Sequence, residues 1–79
     1  MPTLLTSKGI RFRFYSSDKN EPRHVHAVQG RKKAKIWLHD LSLNYNRGFT
    51  SREMMNVHSI VEENQKLFTE AWDAFFNRA

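Results

Sequence analysis

The stretch HVHAVQGRKKAKIWL, residues 24–38, predicts a β-hairpin. Two runs rich in β-branched and aromatic residues, at about 24–28 and 33–38, lie on either side of Gly30. Glycine readily adopts the backbone conformations that tight hairpin turns require. A turn centred on Gly30 and Arg31 fixes the register of the two strands, and two facing pairs follow from it: His24 with Trp37, and His26 with Lys35.

The segments around this hairpin extend it into an antiparallel sheet. Residues 10–15 alternate between apolar and polar side chains, which is typical of a strand with one buried face. A short strand is predicted at about 41–45, and residues 3–6 are a candidate edge strand. The turn-forming residues of 16–22 predict a loop. We therefore expect three to five strands within about residues 3–47.

The C-terminal part predicts one long helix. Thr50 and Glu53 form a Thr-x-x-Glu capping box, and apolar residues recur every three or four positions after it. A helix over about 50–78 would span about 42 Å at 1.5 Å per residue. It must therefore overhang the sheet, bend near residues 62–64, or be covered by a partner. The predicted fold is α+β, with a small antiparallel sheet packed on one long C-terminal helix in a single domain, residues 1–79.

Composition and charge narrow the functional classes. The chain has no cysteine, which excludes disulfides and thiolate chemistry. No apolar run approaches the roughly 20 residues of a membrane span, and the first residues are too polar for a signal peptide. We therefore expect a soluble, cytoplasmic protein without a membrane partner. The net charge of +5 is concentrated in residues 1–49, and a basic half can attract nucleic acid or an acidic protein.

The sheet face opposite the apolar residues is rich in cations and aromatic rings. Such a surface can hold a phosphate backbone while bases stack on the rings. The alternative is that this face is only the solvated side of a one-layer sheet. The candidate residues for binding RNA, DNA or another anion are Arg11, Arg13, Lys33, Lys35, Trp37 and, near the start of the helix, Arg47.

His24 and His26 share one face of their strand. Two imidazoles placed in this way could grip a metal, or act as general acid and base on a phosphodiester. They could equally be hydrogen-bonded histidines of a half-exposed sheet. A metal needs a third ligand, and the side chains considered for it have no fixed metal-binding spacing: Glu21, His39, Asp40 and His58. We therefore predict no metal, no cofactor and no catalytic turnover, although a ribonuclease would use His24 and His26.

The apolar positions of the predicted helix cover more of its surface than a short sheet can bury. The end of the helix should therefore project beyond the sheet and leave aromatic rings in water. An exposed apolar patch of this kind marks an interaction site. The residues predicted to contact a second chain, either a copy of this one or another protein, are Trp72, Phe75 and Phe76.

Six short motifs lie along the chain in a specific order and spacing. They are Phe14-Tyr15-Ser16, Glu21-Pro22-x-His24-Val25-His26, Ala34-Lys35-Ile36-Trp37-Leu38, Asn46-Arg47-Gly48-Phe49, Val61-Glu62-Glu63-Asn64 and Glu70-Ala71-Trp72. Together they resemble the bacterial domain of unknown function 4160 family, short proteins with a Pro-x-His-Val-His signature. The resemblance covers nearly all of residues 9–76. It supplies no catalytic residue, and Asp73 stands where members often carry histidine.

The resemblance implies a small cytoplasmic partner-binding protein, because family members often look like one half of gene pairs that resemble toxin–antitoxin systems. The leading prediction is therefore a partner-binding module of such a pair, acting through its basic sheet face and its helix. A nucleic-acid-binding protein and a small ribonuclease are the alternatives. An enzyme needs both histidines exposed beside a cation in a cleft, whereas a binding protein needs only a broad positive surface.

Overall fold

The alternation of apolar and polar side chains produces a five-stranded antiparallel sheet in which each strand pairs with the next along the chain. The structure is a computed structural model, and it describes residues 3–76. Both ends of the predicted domain, residues 1–2 and 77–79, lie outside the described residues. The strands are β1 (Thr3–Ser7), β2 (Ile10–Arg13), β3 (His24–Gln29), β4 (Lys32–Trp37) and β5 (Leu43–Arg47).

The predicted hairpin is confirmed in its register. β3 and β4 pair antiparallel about Gly30, which has a φ of 60°. The predicted facing pairs are present: His24 with Trp37, and His26 with Lys35. Edge strand β1 is also present, which brings the sheet to five strands among the described residues.

The last strand begins two residues later than predicted. β5 starts at Leu43 because a turn at residues 38–40, followed by two residues outside any strand, separates it from β4. In this connection Asp40 accepts hydrogen bonds from both the backbone N–H and the hydroxyl of Ser42, and Leu41 has a φ of 61°. An aspartate that bonds the backbone two residues ahead favours a turn over a strand.

The C-terminal helical part is present, but its prediction as one continuous helix is not confirmed. It consists of α1 (Ser51–Glu63) and α2 (Gln65–Phe75), separated at Asn64. Asn64 has φ −114° and ψ 16°, and both its backbone N–H and its side-chain amide donate to the carbonyl of Ile60. An asparagine side chain that competes for backbone groups in this way ends a helix locally. The interruption falls within residues 62–64, where a bend is one of the three alternatives that the sequence predicts.

The break lets the second helix follow the sheet instead of overhanging it. The Phe68 ring stacks on Phe12 with centroids 5.6 Å apart, and Trp72 meets Phe14 edge-on at 5.0 Å. The molecule measures 35 Å along its longest axis, shorter than the single helix would have been. One core results, with these fully or almost fully buried residues: Ile10, Phe12, Phe14, Val25, Ala27, Ala34, Ile36, Leu38, Phe49, Val57, Ile60, Val61, Phe68 and Trp72.

The capping box predicted at the start of the helix is present. The Glu53 N–H donates to Thr50 Oγ1 at 3.1 Å, and the Thr50 N–H donates to Glu53 Oε1 at 2.8 Å. Lys32 of β4 also donates to Glu53 at 2.5 Å, and this hydrogen bond holds the pKa of Glu53 below its usual range. The cap therefore fixes both the first turn of α1 and its attachment to the sheet.

We predict that Thr50→Ala lowers the free energy of unfolding by about 1 kcal/mol, because an N–H at the start of α1 loses its acceptor. Urea unfolding followed by circular dichroism measures the change. Ser51→Ala is the matched control, since Ser51 is exposed one residue further along. An equal loss in the control would show that the cap has no special role.

Candidate functional site

The two helices pack on one face of the sheet and leave most of the other face open. We call the uncovered side of β2 to β5 the open face. Residues that stand directly opposite each other in neighbouring strands share a face. The strand register therefore shows that the residues predicted to bind an anion lie on one face. The set on this face is Arg11, Arg13, Lys33, Lys35, Trp37 and Arg47.

A row of cations crosses the open face. Arg11 on β2 pairs with Val28, Val28 pairs with Lys33 on β4, and Lys33 pairs with Arg47 on β5. Val28 is buried, whereas the three cations are exposed. Neighbouring strands are about 4.8 Å apart, so this cationic row is roughly 14 Å long. Within residues 3–76, none of its three cations forms an ion pair.

The row of side chains beside the cationic row, which includes Lys35, is less accessible than the sequence suggested. Lys35 forms an ion pair with Glu21, and only 12% of its side chain is exposed. Its ammonium group lies 4.9 Å from the centre of the Trp37 ring, and the guanidinium of Arg13 lies 5.4 Å from that of Tyr15. Lys35 and Arg13 are therefore in contact with neighbouring side chains. The accessible cations of the open face are those of the cationic row.

The segment between β2 and β3 covers part of the open face. Residues Ser16–Asn20 form a short 3₁₀ helix inside the predicted loop. Asp18 is its buried residue, at 5% exposure, and its Oδ2 accepts a hydrogen bond from the Tyr15 N–H at 2.8 Å. The local turn therefore directs a carboxylate down onto the sheet.

Asp18 meets both histidines of β3. Its Oδ2 lies 3.1 Å from Nε2 of His26 and 3.2 Å from Nε2 of His24. His24 is fully buried, in contact with the ring of Trp72, and His26 is 8% exposed. The predicted histidine pair thus shares a face but lies under a covering segment, where a general acid and base would not meet a substrate. We call these three residues the Asp-His-His cluster.

The hydrogen bonds of the cluster leave one polar atom unmatched. Nδ1 of His24 lies 2.8 Å from the carbonyl oxygen of Pro22, which can only accept, so Nδ1 carries a proton. In a ring that is protonated at Nδ1 alone, Nε2 presents a lone pair. Among the described residues, this buried Nε2 has no hydrogen-bond partner.

Opposing effects act on the pKa of His26. Burial lowers the pKa of His26, and the electrostatic effects of His24 and then Lys35 act in the same direction, while Asp18 opposes them. Burial is the largest of these effects, so the neutral form is favoured. His26 Nε2–H then donates to Asp18.

Sequence reasoning missed Asp18. The residues considered as a third ligand stand elsewhere: His39, for example, lies beside Asp40 on the surface, and Glu21 is paired with Lys35. The available signal was an aspartate in a turn-forming segment just before the His-x-His motif. The path of that segment depends on how it folds back over the sheet, which residue spacing does not indicate.

The aromatic residues at the end of α2 differ from their predicted positions. Trp72 is fully buried against Phe14 and His24, so it offers no surface to a second chain. The expected projection of the helix end therefore does not extend to Trp72, whose ring is enclosed by neighbouring rings. Phe76 is partly buried on the core and Phe75 is 44% exposed. Their contact with a partner stays a prediction.

Asp73 has a structural contact. Its Oδ1 accepts a hydrogen bond from Nε of Arg23 at 2.7 Å, which joins α2 to the residue just before β3. The ion pair is partly exposed and so contributes little to stability. It does orient the end of α2 next to the residue that precedes the Asp-His-His cluster.

Fold and site together define a small α+β protein with an open cationic sheet face and a buried Asp-His-His cluster under the segment between β2 and β3. The chain belongs to the family described as Domain of unknown function (DUF4160), whose model matches residues 9–73. Searches of curated proteins and of solved structures found no match. Within residues 3–76, no helix has the length and apolar character needed to cross a membrane.

We predict that Asp18→Ala lowers the free energy of unfolding by about 1–3 kcal/mol, because it leaves buried donors on Tyr15 and His26 without an acceptor. Urea unfolding measures the loss. Ser17→Ala, an exposed position in the same 3₁₀ helix, is the control and should unfold like the wild type. If both variants were equally stable, Asp18 would not hold the segment to the sheet.

Proposed function

We propose that the protein is a small binding module whose open face holds the phosphate backbone of single-stranded RNA or DNA. The observation that carries the proposal is the cationic row of Arg11, Lys33 and Arg47, exposed on a sheet face that the helices leave uncovered. Phosphate contacts supply most of the affinity in sequence-independent binding.

The arrangement of the row supports a binding role over simple solvation. Lys33 and Arg47 stand directly opposite each other on β4 and β5. Like charges at facing positions destabilise a sheet. A solvated face could use serine, threonine or paired opposite charges at no such cost. An anionic ligand would turn this repulsion into attraction.

Aromatic rings stand beside the cations. The Arg47 guanidinium lies 5.6 Å from the centre of the Tyr45 ring, and Tyr45 faces Lys35 on the open face. Tyr15, Trp37 and Tyr45 are all partly exposed. Bases can stack on such rings while cations hold the backbone, a combination typical of proteins that bind single strands.

The ribonuclease alternative receives less support. It requires both imidazoles to reach a phosphodiester, yet His24 is fully buried and His26 nearly so. Val28, the member of the cationic row on β3, is two residues from His26 and four from His24, or about 7 and 13 Å along the strand, so the row does not converge on both imidazoles. The proposed function is therefore binding without turnover.

We predict that affinity for a mixed-sequence oligonucleotide falls steeply with salt, and that Lys33→Ala/Arg47→Ala weakens it. Loss of two phosphate contacts should reduce the slope of log K against log salt by about 1.4, at roughly 0.7 per contact for single strands. Fluorescence anisotropy with labelled RNA and DNA at several salt concentrations measures both effects.

The matched control is Arg52→Ala/Lys66→Ala, which removes the same charge from exposed positions on the helices. Its slope should equal that of the wild type. An equal effect of both double variants, or equally tight binding of polyglutamate, would show that the interaction depends only on net charge. An affinity that does not change with salt concentration would contradict the proposal.

A second candidate function is a protein–protein contact through α2, as expected of one member of a toxin–antitoxin-like pair. The supporting observation is an apolar strip in which Leu67 is 49% and Phe75 is 44% exposed. These positions are eight residues apart, with Ala71 midway, so they lie along one side of the helix. Large exposed apolar residues in a row mark an interaction surface.

We predict that the protein self-associates at micromolar concentration through this strip. Sedimentation velocity should show a dimer that Leu67→Ser/Phe75→Ser converts to monomer. Met55→Ser is the control, because Met55 is 72% exposed on α1 outside the strip. A wild-type protein that is monomeric across the concentration range would exclude self-association and leave only a different protein as the occupant.

A further inference from the structure

We propose that Asp18, His24 and His26 form a binding site for a divalent transition-metal ion, and that Zn²⁺ fits this ligand set best. Two imidazole nitrogens and one carboxylate oxygen are ligands that Zn²⁺ accepts in proteins. The three candidate ligand atoms lie within 4.8 Å of one another. This site is separate from the cationic row and does not depend on the proposed nucleic-acid binding.

The two distances between the carboxylate and the imidazoles suit a shared ion. Bonds of about 2.0–2.1 Å at tetrahedral angles place neighbouring ligand atoms roughly 3.3 Å apart. Oδ2 of Asp18 lies 3.2 Å from Nε2 of His24 and 3.1 Å from Nε2 of His26. The carboxylate therefore already stands at ligand spacing from both imidazoles.

The orientation of His24 is that of a metal ligand. Its Nδ1–H donates to the carbonyl of Pro22, which fixes the tautomer with the lone pair on Nε2. Metal-bound histidines typically use their second nitrogen in this way. In the metal-free protein, hydrogen bonding within the cluster accounts for His26 and Tyr15, which both donate to Asp18. It does not account for Nε2 of His24, which is buried, faces a carboxylate and has no hydrogen-bond partner among the described residues. Binding of the ion at Nε2 of His26 requires the neutral ring to carry its proton on Nδ1 instead, so that Nε2 presents a lone pair.

The charges around the cluster and its position near the surface also permit a cation to bind. Lys35, the cation that faces His26 across the sheet, forms an ion pair with Glu21. The carboxylate of Asp18 is buried beside two imidazoles, a setting that a divalent ion would stabilise. The side chains of Asp18 and His26 are 7% and 10% exposed, so the cluster lies just below the surface. Three protein ligands leave the fourth position for water.

The test is calorimetric titration of the chelator-treated full chain with Zn²⁺. We expect one ion per chain in the wild type. Asp18→Asn, which keeps the shape of the side chain, should weaken binding at least about 100-fold, because loss of an outer-sphere partner alone costs 10–100-fold. His58→Gln, an exposed histidine on α1, should bind as the wild type does.

A second measurement on the wild type keeps the proposal testable if Asp18→Asn does not fold. Nitrogen NMR of the imidazoles reports which histidines take up metal. Zn²⁺ should shift Nε2 of His24 and His26 and leave His39 and His58 unchanged. Shifts confined to His39 or His58, no uptake at all, or full affinity in a folded Asp18→Asn would each overturn the proposal.

Discussion

The pairing of β3 with β4 about Gly30 is the constraint on which the rest of the structure depends. A slip of one residue would turn every side chain of a strand to the other face. If β4 slipped on β3, Ile36 would leave the core and Lys35 would enter it. The observed register instead directs an apolar set toward the helices and a polar set toward the open face. Both candidate sites exist because of that one alignment.

The contact of Asp18 with the histidines extends this order into the connection between β2 and β3. A buried carboxylate is costly unless hydrogen bonds or opposite charge stabilise it. Here the Tyr15 N–H and His26 supply two contacts, and the 3₁₀ helix is held against the sheet as a result. The same contact sets the carboxylate against both imidazoles, while neighbouring rings enclose them as well. This arrangement supports the proposed cation site over surface catalysis. One local turn therefore decides which chemistry the His-x-His motif can support.

Most of the sheet could be predicted from the sequence, because period-two alternation and a glycine turn are local signals. The facing of His24 with Trp37 followed from counting residues about Gly30. The break at Asn64 could be anticipated only as one way to shorten an overlong helix, since neither proline nor glycine marks it. Asp18 could not be placed, because its role depends on a segment that folds over a sheet formed by distant residues. The burial of Trp72 was missed for the same reason: it depends on the direction that α2 takes after Asn64.

The position of the break has a further consequence for how surfaces are divided. After the break, α2 buries Phe68 and Trp72 in the core and leaves Leu67 and Phe75 exposed. The core and the sheet then lie between this apolar strip and the cationic row. A dimer formed through α2 would therefore leave both open faces accessible, and two weak phosphate-binding faces joined in one particle bind a long strand more tightly than either alone. Partner binding and nucleic-acid binding, which the sequence presents as rival functions, are thus compatible in one molecule.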